Sequence, residues 1–461
     1  MDIFILISVL ALLSPVALWL AWKNPLYLLV IHLLSRFVLD SMSGVTYATM
    51  IGPFSFMQVY SLGFIFLFFI YLLIKGQLSR TPYRNVVFLI LMISLISGVV
   101  NDRLADFIVI GSKWVYMWIC AAMMLYVLKT NTEKKVVLFL MLSILYPLAN
   151  QYYHFLFTPP KADHNISYLG GFEHESSLAF ILLGALPFCI AVLISNKYKI
   201  IKVFSVGVVA AIHIGIYFNN YRTALVALAF FWLFVLLLSF KNLNHWGKFA
   251  TSIAGIVLPL VVIVALGDTL ESRFSDIATL LGNPGKYIDF SGHAKQNSLL
   301  SGRIDILNTV MATYINAPLV NIIVGLGPGS VNDLIGAYTH NEFVSALIEH
   351  GVIGLFALLI VVVSFWLKSY REAVFTKGSA VYISAMLYGF VILAFGTMPF
   401  RDTRSMLFLG MFMGFIHWYK LQRNSQHQVK AKKKFVQADA TVICNSQKNS
   451  ILHRRNNRST N

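Results

Sequence analysis

The sequence predicts an all-α polytopic membrane protein, with twelve or thirteen transmembrane helices and one large loop outside the membrane. Three observations carry that class. Only 12% of the 461 residues are charged, about half the ~25% of a soluble domain. Hydrophobic residues make up 58% and the mean hydropathy is +0.72. Apolar runs near the ~20 residues that cross a bilayer recur along almost the whole chain.

Taken in order, spans are expected near 3–22, 25–40, 55–74, 85–101, 107–128, 135–157, 177–195, 200–218, 223–240 and 248–267. After a long loop come 341–367, 379–398 and 403–420. The chain then divides into an N-terminal bundle (1–267), a large loop (268–339), C-terminal transmembrane helices (340–420) and a tail (421–461). Met1-Asp2-Ile3 lacks the basic start of a signal peptide, so the first span is expected to stay in place.

Loop charge orients the bundle. Basic residues fall in alternate loops, among them Lys75, Arg80 and Arg84, then Lys129, Lys134 and Lys135, then Lys197, Lys199 and Lys202, and later Lys368 and Arg371. These loops and the C-terminus read as cytoplasmic. From Lys420 onward, ten basic residues against the single acid Asp439 supply more than half of the net +17. Such a tail reads as a disordered extension facing anionic lipid, not as a nucleic-acid-binding segment. Cys120, Cys189 and Cys444 have no ligand spacing, so neither a disulfide framework nor a zinc site is indicated. No internal repeat is evident, which weakens an inverted-repeat transporter.

The outward loops, 41–54, 102–106, 158–176, 219–222, 268–339 and 399–402, hold the candidates. A loop as long as 268–339 tends to be functional. A short helix is expected near Asp268–Phe274 and loop from Gly282 to Gly292. From Ser301, a potential N-cap, Ile304, Leu307, Val310, Met311 and Tyr314 form one helical stripe, with Arg303 and Asp305 off it. That amphipathic helix would rest on the membrane surface or on the bundle. Arg303 could hold a lipid-linked phosphate with its planar fork, or simply pair with Asp305 or headgroups. Arg222, in the short turn Asn219–Ala224, would add its charge to a helix N-terminus, favouring an anion; a structural arginine bonding helix-end carbonyls is the alternative.

His340 stands at the mouth of the span 341–367 and titrates near neutrality, so it could accept a proton from an attacking hydroxyl; a hydrogen-bonded packing histidine is the alternative. Asn341 beside it is a candidate substrate contact. Glu342 and Glu349, seven apart, share a helix face, and Glu349 is expected to face a partner or a cavity because charge inside a span is costly. His174, in Gly170–Ser176, suits sugar hydroxyls better than a metal. The Gly325–Gly329 turn lacks the Lys-Ser/Thr of a nucleotide loop and would allow a tight backbone beside a ligand. Arg401 and Arg404 flank Asp402 and add outward positive charge. Arginines, one histidine and few acids suit a diphosphate presented from the bilayer. No Asp-x-Asp motif supports a metal-bound nucleotide-sugar donor, and basic side chains could themselves stabilise a leaving diphosphate.

Tyr221-Arg222-Thr223-Ala224, Ser-Gly-Arg at 301–303, Gly-x-Gly-x-Gly at 325–329, His-Asn-Glu-Phe at 340–343 and Glu-His-Gly-Val-Ile-Gly-Leu at 349–355 together resemble the bacterial O-antigen ligase and Wzy-type polysaccharide polymerase superfamily over roughly 165–420. The resemblance implies an inner-membrane glycosyltransferase with its site on the periplasmic side, no metal and no cofactor. Its donor would be a glycan on undecaprenyl diphosphate, and a chain-length regulator could be a partner. Arg222 and Arg303 would then neutralise the donor diphosphate and His340 would activate the acceptor hydroxyl, with inversion. Glu349, His174 and Arg401 would be further substrate contacts. Tyr221 departs from the more usual serine before the arginine. The family divides into polymerases and ligases; polymerase is the reading taken because polymerases are more numerous and more variable. A transporter for the same lipid-linked sugars is the rival from another class.

Overall fold

The computed structural model describes residues 19–20, 22–48, 50–51, 54–78, 83–158, 167–239, 275, 279–280, 282–288, 302–336, 339–376, 378–426 and 428. Among them seven helices are long and apolar enough to cross a membrane: α3 (Phe56–Ile74), α5 (Leu104–Thr130), the pair α6 (Glu133–Ser143) and α7 (Leu145–Phe157) joined at Ile144, α8 (Glu175–Ser195), α9 (Lys199–Phe218), α10 (Arg222–Ser239) and α15 (Glu342–Thr376). The protein is thus a multi-pass helical membrane protein. Four other expected spans also fold as helices: α1 (Pro25–Ser41), α4 (Arg84–Val100), α16 (Ser379–Leu393) and α17 (403–426). Residues 3–18 of the first expected span, the expected span 248–267, the helix at Asp268–Phe274 and the tail from 429 lie outside the described residues, whereas 421–426, expected as part of a disordered tail, continue α17 as helix.

Local chemistry sets several boundaries. Asn24 accepts from Leu26 N at the start of α1, where Pro25 occupies the first turn. Ser55 and Gln58 form a reciprocal capping box opening α3. It follows α2 (Ser43–Thr46) and a two-residue ribbon, β1 (Met50–Ile51) antiparallel to β2 (Phe54–Ser55) with Met50 opposite Ser55. Helix α8 is apolar on all sides because it is surrounded: every residue from Ser177 to Val192 is buried. Helix α17 approaches α5 closely through small residues, since a Cβ on Gly410 would lie 2.4 Å from Met117 O and one on Gly414 2.7 Å from Ala121 O.

The loops expected outside gather at one end. Ser43 Oγ donates to Gly171 O, Tyr168 N to Phe218 O, Asn219 Nδ2 to Glu175 O, and Glu342 N to Ala394 O. The opposite end carries the basic side chains: Lys75 over Trp22, Lys135 over Tyr27, Lys368 over Tyr83, and Arg423 paired with Glu372 at 3.0 Å. The two loop sets inferred from charge are therefore physically separate.

The large loop folds onto the first end. Helix α11 (Pro284–Tyr287) interrupts the stretch read as loop, and α12 (Arg303–Ile315), α13 (Leu319–Val324) and α14 (Ser330–Ile335) follow. Gly302, in the left-handed region, takes the N-cap place of α12 without a side-chain bond, so the expected cap at Ser301 is replaced; Ser301 itself lies outside the described residues. The stripe packs on protein: Ile304, Val310 and Tyr314 are buried, Leu307 and Met311 half-buried, with Val310 and Tyr314 clustered with Val331 and Ile348. The choice between membrane surface and bundle thus falls to the bundle for this helix.

The docking joint is an interlock of irregular backbone. Helix α15 kinks at Gly351 (φ 67°, ψ −169°), which frees carbonyls two turns from its start. Leu326 N donates to Ile348 O at 2.8 Å, and Gly327 N (3.2 Å) and Ser97 Oγ (2.6 Å) to Glu349 O. Broken helix at this depth survives because protein groups satisfy it. The Gly325–Gly329 turn, read as lying beside a ligand, lies against this kink: a Cβ on Gly325 would sit 2.3 Å from the Glu349 carbonyl. Gly351→Ala should therefore cost at least about 1–3 kcal/mol of backbone strain, besides driving its Cβ to 2.2 Å from Ile323 O. Size-exclusion profiles in detergent should show a loss of folded protein; an unchanged profile and melting temperature would contradict the interlock.

Candidate functional site

His340 sits where the large loop enters α15. Its φ of 53° is the left-handed region, sparsely used by side chains other than glycine and tolerated where surroundings enforce it. Those surroundings are visible on both sides. Thr339 Oγ1 bonds Ser345 Oγ at 2.6 Å, and Asn341 Oδ1 accepts from Phe343 N and Val344 N at 3.0 and 3.1 Å. Asn341 is the N-cap of α15, so the amide read as a substrate contact has its oxygen committed to the helix end; its Nδ2 faces Phe395 O. An asparagine just before an acidic first turn was a legible capping signal.

Two other elements bring charged or titratable groups towards this histidine. The imidazole is held below its ordinary pKa of 6.5, first by burial, then by the positive charge of Arg303, then by His174. Arg303, at the first position of α12, and His174, at the N-cap of α8, therefore lie within electrostatic reach of a residue 37 and 166 positions away. His174 Nδ1 accepts from Ser176 N at 3.1 Å, and its ring meets Tyr221 edge-on with centroids 6.2 Å apart. Tyr221 stays protonated, its pKa raised by burial against hydrogen bonds to Thr397 and Thr223 and the charge of Arg303. The next residue, Arg222, opens α10 as expected and is half-buried. The predicted His340, Arg303 and His174 thus converge, with Arg222 beside their neighbour Tyr221.

Two of the predicted residues do something else. Arg401 does not project outward: its Nε lies 3.2 Å from Glu342 Oε1 and its Nη1 2.5 Å from Glu349 Oε1. Glu349, 1% exposed, meets protein as anticipated, and the shared face of Glu342 and Glu349 is the reason one guanidinium spans both. Nor is Arg404 a rim charge. It is buried and bonds Asp40 at 3.2 Å, Asp402 at 2.9 Å, Tyr47 at 2.9 Å and Ser177 at 2.7 Å. Arg36, also on Asp40 at 2.8 Å, adds Ser61 and Thr403. Sequence reading passed over Arg36 and Asp40, although two ionisable residues four apart inside an apolar run are a strong signal of a buried function or pairing.

The arrangement offers, at one end of the bundle, a neutral imidazole, a cationic side chain near it and a hydroxyl donor, over a base of paired buried charges. Among the described residues no three His, Cys, Asp or Glu side chains gather as metal ligands would. Arg401→Met should strand two buried carboxylates and cost about 3–5 kcal/mol, whereas adding Glu349→Gln should recover part of the loss. Thermal unfolding in detergent measures both; equal melting temperatures for wild type and Arg401→Met would show that the cluster contributes nothing.

No protein-family model and no curated protein matches the chain, so its activity is read from the residues just placed.

Proposed function

We propose that the chain is an inner-membrane glycosyltransferase that polymerises undecaprenyl-diphosphate-linked oligosaccharide repeats into O-antigen, capsule or exopolysaccharide on the periplasmic face. The observation that carries this reading is the convergence of His340, Arg303 and His174 from three elements at a single end of the bundle. The acceptor hydroxyl gives its proton to the neutral His340 as its oxygen attacks the anomeric carbon. The bond from that carbon to the diphosphate breaks, and the diphosphate leaves with the electron pair and meets the charges of Arg303 and Arg222. Attack opposite the leaving group inverts the centre. Cations already placed where charge develops stabilise it with little reorganisation. His174 and Tyr221 supply hydrogen bonds to sugar hydroxyls.

The test is a profile of carrier-linked and lipid A-linked glycans in a host lacking the protein, complemented with wild type or His340→Ala. Single repeats left on the carrier or on the core identify a polymerase. Long chains stranded on undecaprenyl diphosphate beside bare core identify the alternative, a ligase transferring finished chains to lipid A–core. His340→Ala should insert normally and lose at least about 10²-fold in rate. A normal glycan pattern from that variant would remove the catalytic reading and favour a lipid-linked-sugar transporter.

The acid side of the pH–rate profile gives a second check. Because the imidazole is held below 6.5, its base form persists into mildly acidic solution, and activity should fall only below that value. Removing a nearby positive charge raises a histidine pKa. Arg303→Gln should therefore shift the acid limb upward towards 6.5, whatever it does to the plateau; an unmoved limb would separate Arg303 from His340.

A further inference from the structure

Helices α4 and α15 pack side by side, and together they mark where the bilayer lies. Helix α4 has seventeen residues, about 25 Å at 1.5 Å per residue. On α15 the outward side chains Val352, Phe356, Ile360, Val363 and Leu367 are exposed and apolar, a band again about 24 Å long. None of the exposed large apolar residues of α15 precedes the kink at Gly351. At the basic end Lys368 lies over the Tyr83 ring at 4.5 Å, and α15 continues past it with the exposed rings of Tyr370 and Phe375. At the other end the two bands stop together, where Asn101 Nδ2 donates to Gly325 O at 3.1 Å and the Gly325 turn meets Glu349 and Gly351. Their shared limit marks the second edge of one slab, and each band is a little under the ~30 Å hydrocarbon core.

Helix α13 lies at the second edge of that slab, packed against both α4 and α15. Its polar side faces protein: Asn321 Nδ2 donates to Asn101 Oδ1 at 2.6 Å and Tyr314 Oη to Ile322 O at 2.6 Å. The other side carries Leu319 (72% exposed), Val320 (54%) and Ile323, with Ile315 just before it, and no side chain of α13 is buried. This apolar face runs on from the exposed Val99 and Val100 of α4 and Val352 and Ile353 of α15. We propose that α13 is a membrane-interface anchor of the large loop, with Ile315, Leu319, Val320 and Ile323 immersed in the lipid at the bilayer edge. The occupant is the bilayer because the face continues the lipid-facing band and shares its boundary. An apolar helix face at that depth is stable against acyl chains and unfavourable against water. The anchor sets the height of α12 and α14 above the membrane, since α12, α13 and α14 share one core with α15 through Val310, Tyr314, Ile322, Val331 and Ile348. This inference is independent of any catalytic role for His340.

The experiment places a nitroxide label at Leu319, Val320 or Ile323 of the full chain, with the three native cysteines changed to serine, in nanodiscs of phosphatidylcholine and phosphatidylglycerol. Collision with oxygen is compared with collision with a water-soluble nickel chelate. A label at Phe356 is the lipid reference and one at Asn332 the aqueous reference, both exposed positions that tolerate the probe. Labels on α13 that follow Phe356, with high oxygen and low nickel access, support the anchor. Labels that follow Asn332 overturn it, and so does low access to both reagents, which would mean that protein covers the face.

Discussion

Arg401 bridges two carboxylates on one helix, and much of the molecule is arranged around that bridge. Charge cannot be left unpaired in a low-dielectric interior, so Glu342 and Glu349 fix where the turn between α16 and α17 must lie. Glu342 also accepts from Phe400 N through its second oxygen at 3.1 Å, and its own N–H meets Ala394 O, so side chain and backbone point to the same docking. The carbonyl of Glu349, the same residue that makes the ion pair, is where the large loop attaches through Gly327 N and α4 through Ser97 Oγ. One short stretch of α15 thus joins the C-terminal helices, α4 and the loop.

A second buried network completes the same end. Asp40 lies between Arg36 and Arg404, and Asp402 and Tyr47 close the circuit. Ser177, bonded to Arg404, is three residues from His174, and Thr403, bonded to Arg36, is two from Arg401. The half-buried His340, with the exposed His174 and Arg303 near it, therefore rests on a layer whose side chains have fixed partners. A proton-accepting histidine needs such rigid support to hold its position against the reacting groups. Its strained backbone is consistent with the same demand, because a left-handed non-glycine residue persists only where its neighbours over-determine it.

The sequence-based and observed pictures agree where the physics is local. Spans are legible because hydrophobic runs of the right length have few other uses, and the boundaries of α3, α8, α9 and α10 fall within two residues of those expected. The apolar stripe of α12 was readable from its 3.6-residue period, although the surface that would cover it was not. The alternation of basic and outward loops anticipated which loops meet at one end. Arg222, Arg303, His174 and His340 were visible as polar residues at helix mouths. The separate fates of Asn341 and Arg401 were not: a capping amide and a bridging guanidinium look, in one dimension, like any other polar residue near a site.

By itself, the sequence determined that the chain is helical, that it is built for a membrane, and that its ionisable residues concentrate at helix ends. Composition and periodicity suffice for that because lipid admits few backbone solutions. Tertiary structure alone decided which charges answer which. Asp40 and Arg404 are 364 residues apart, and Ser97 and Glu349 are 252 apart. A buried charge requires a partner within a few ångströms, and the chain states the requirement at each position without naming who meets it. That identity follows only from how the helices cross, through contacts such as Gly410 and Gly414 on α5 and the Gly325 turn on the kink of α15.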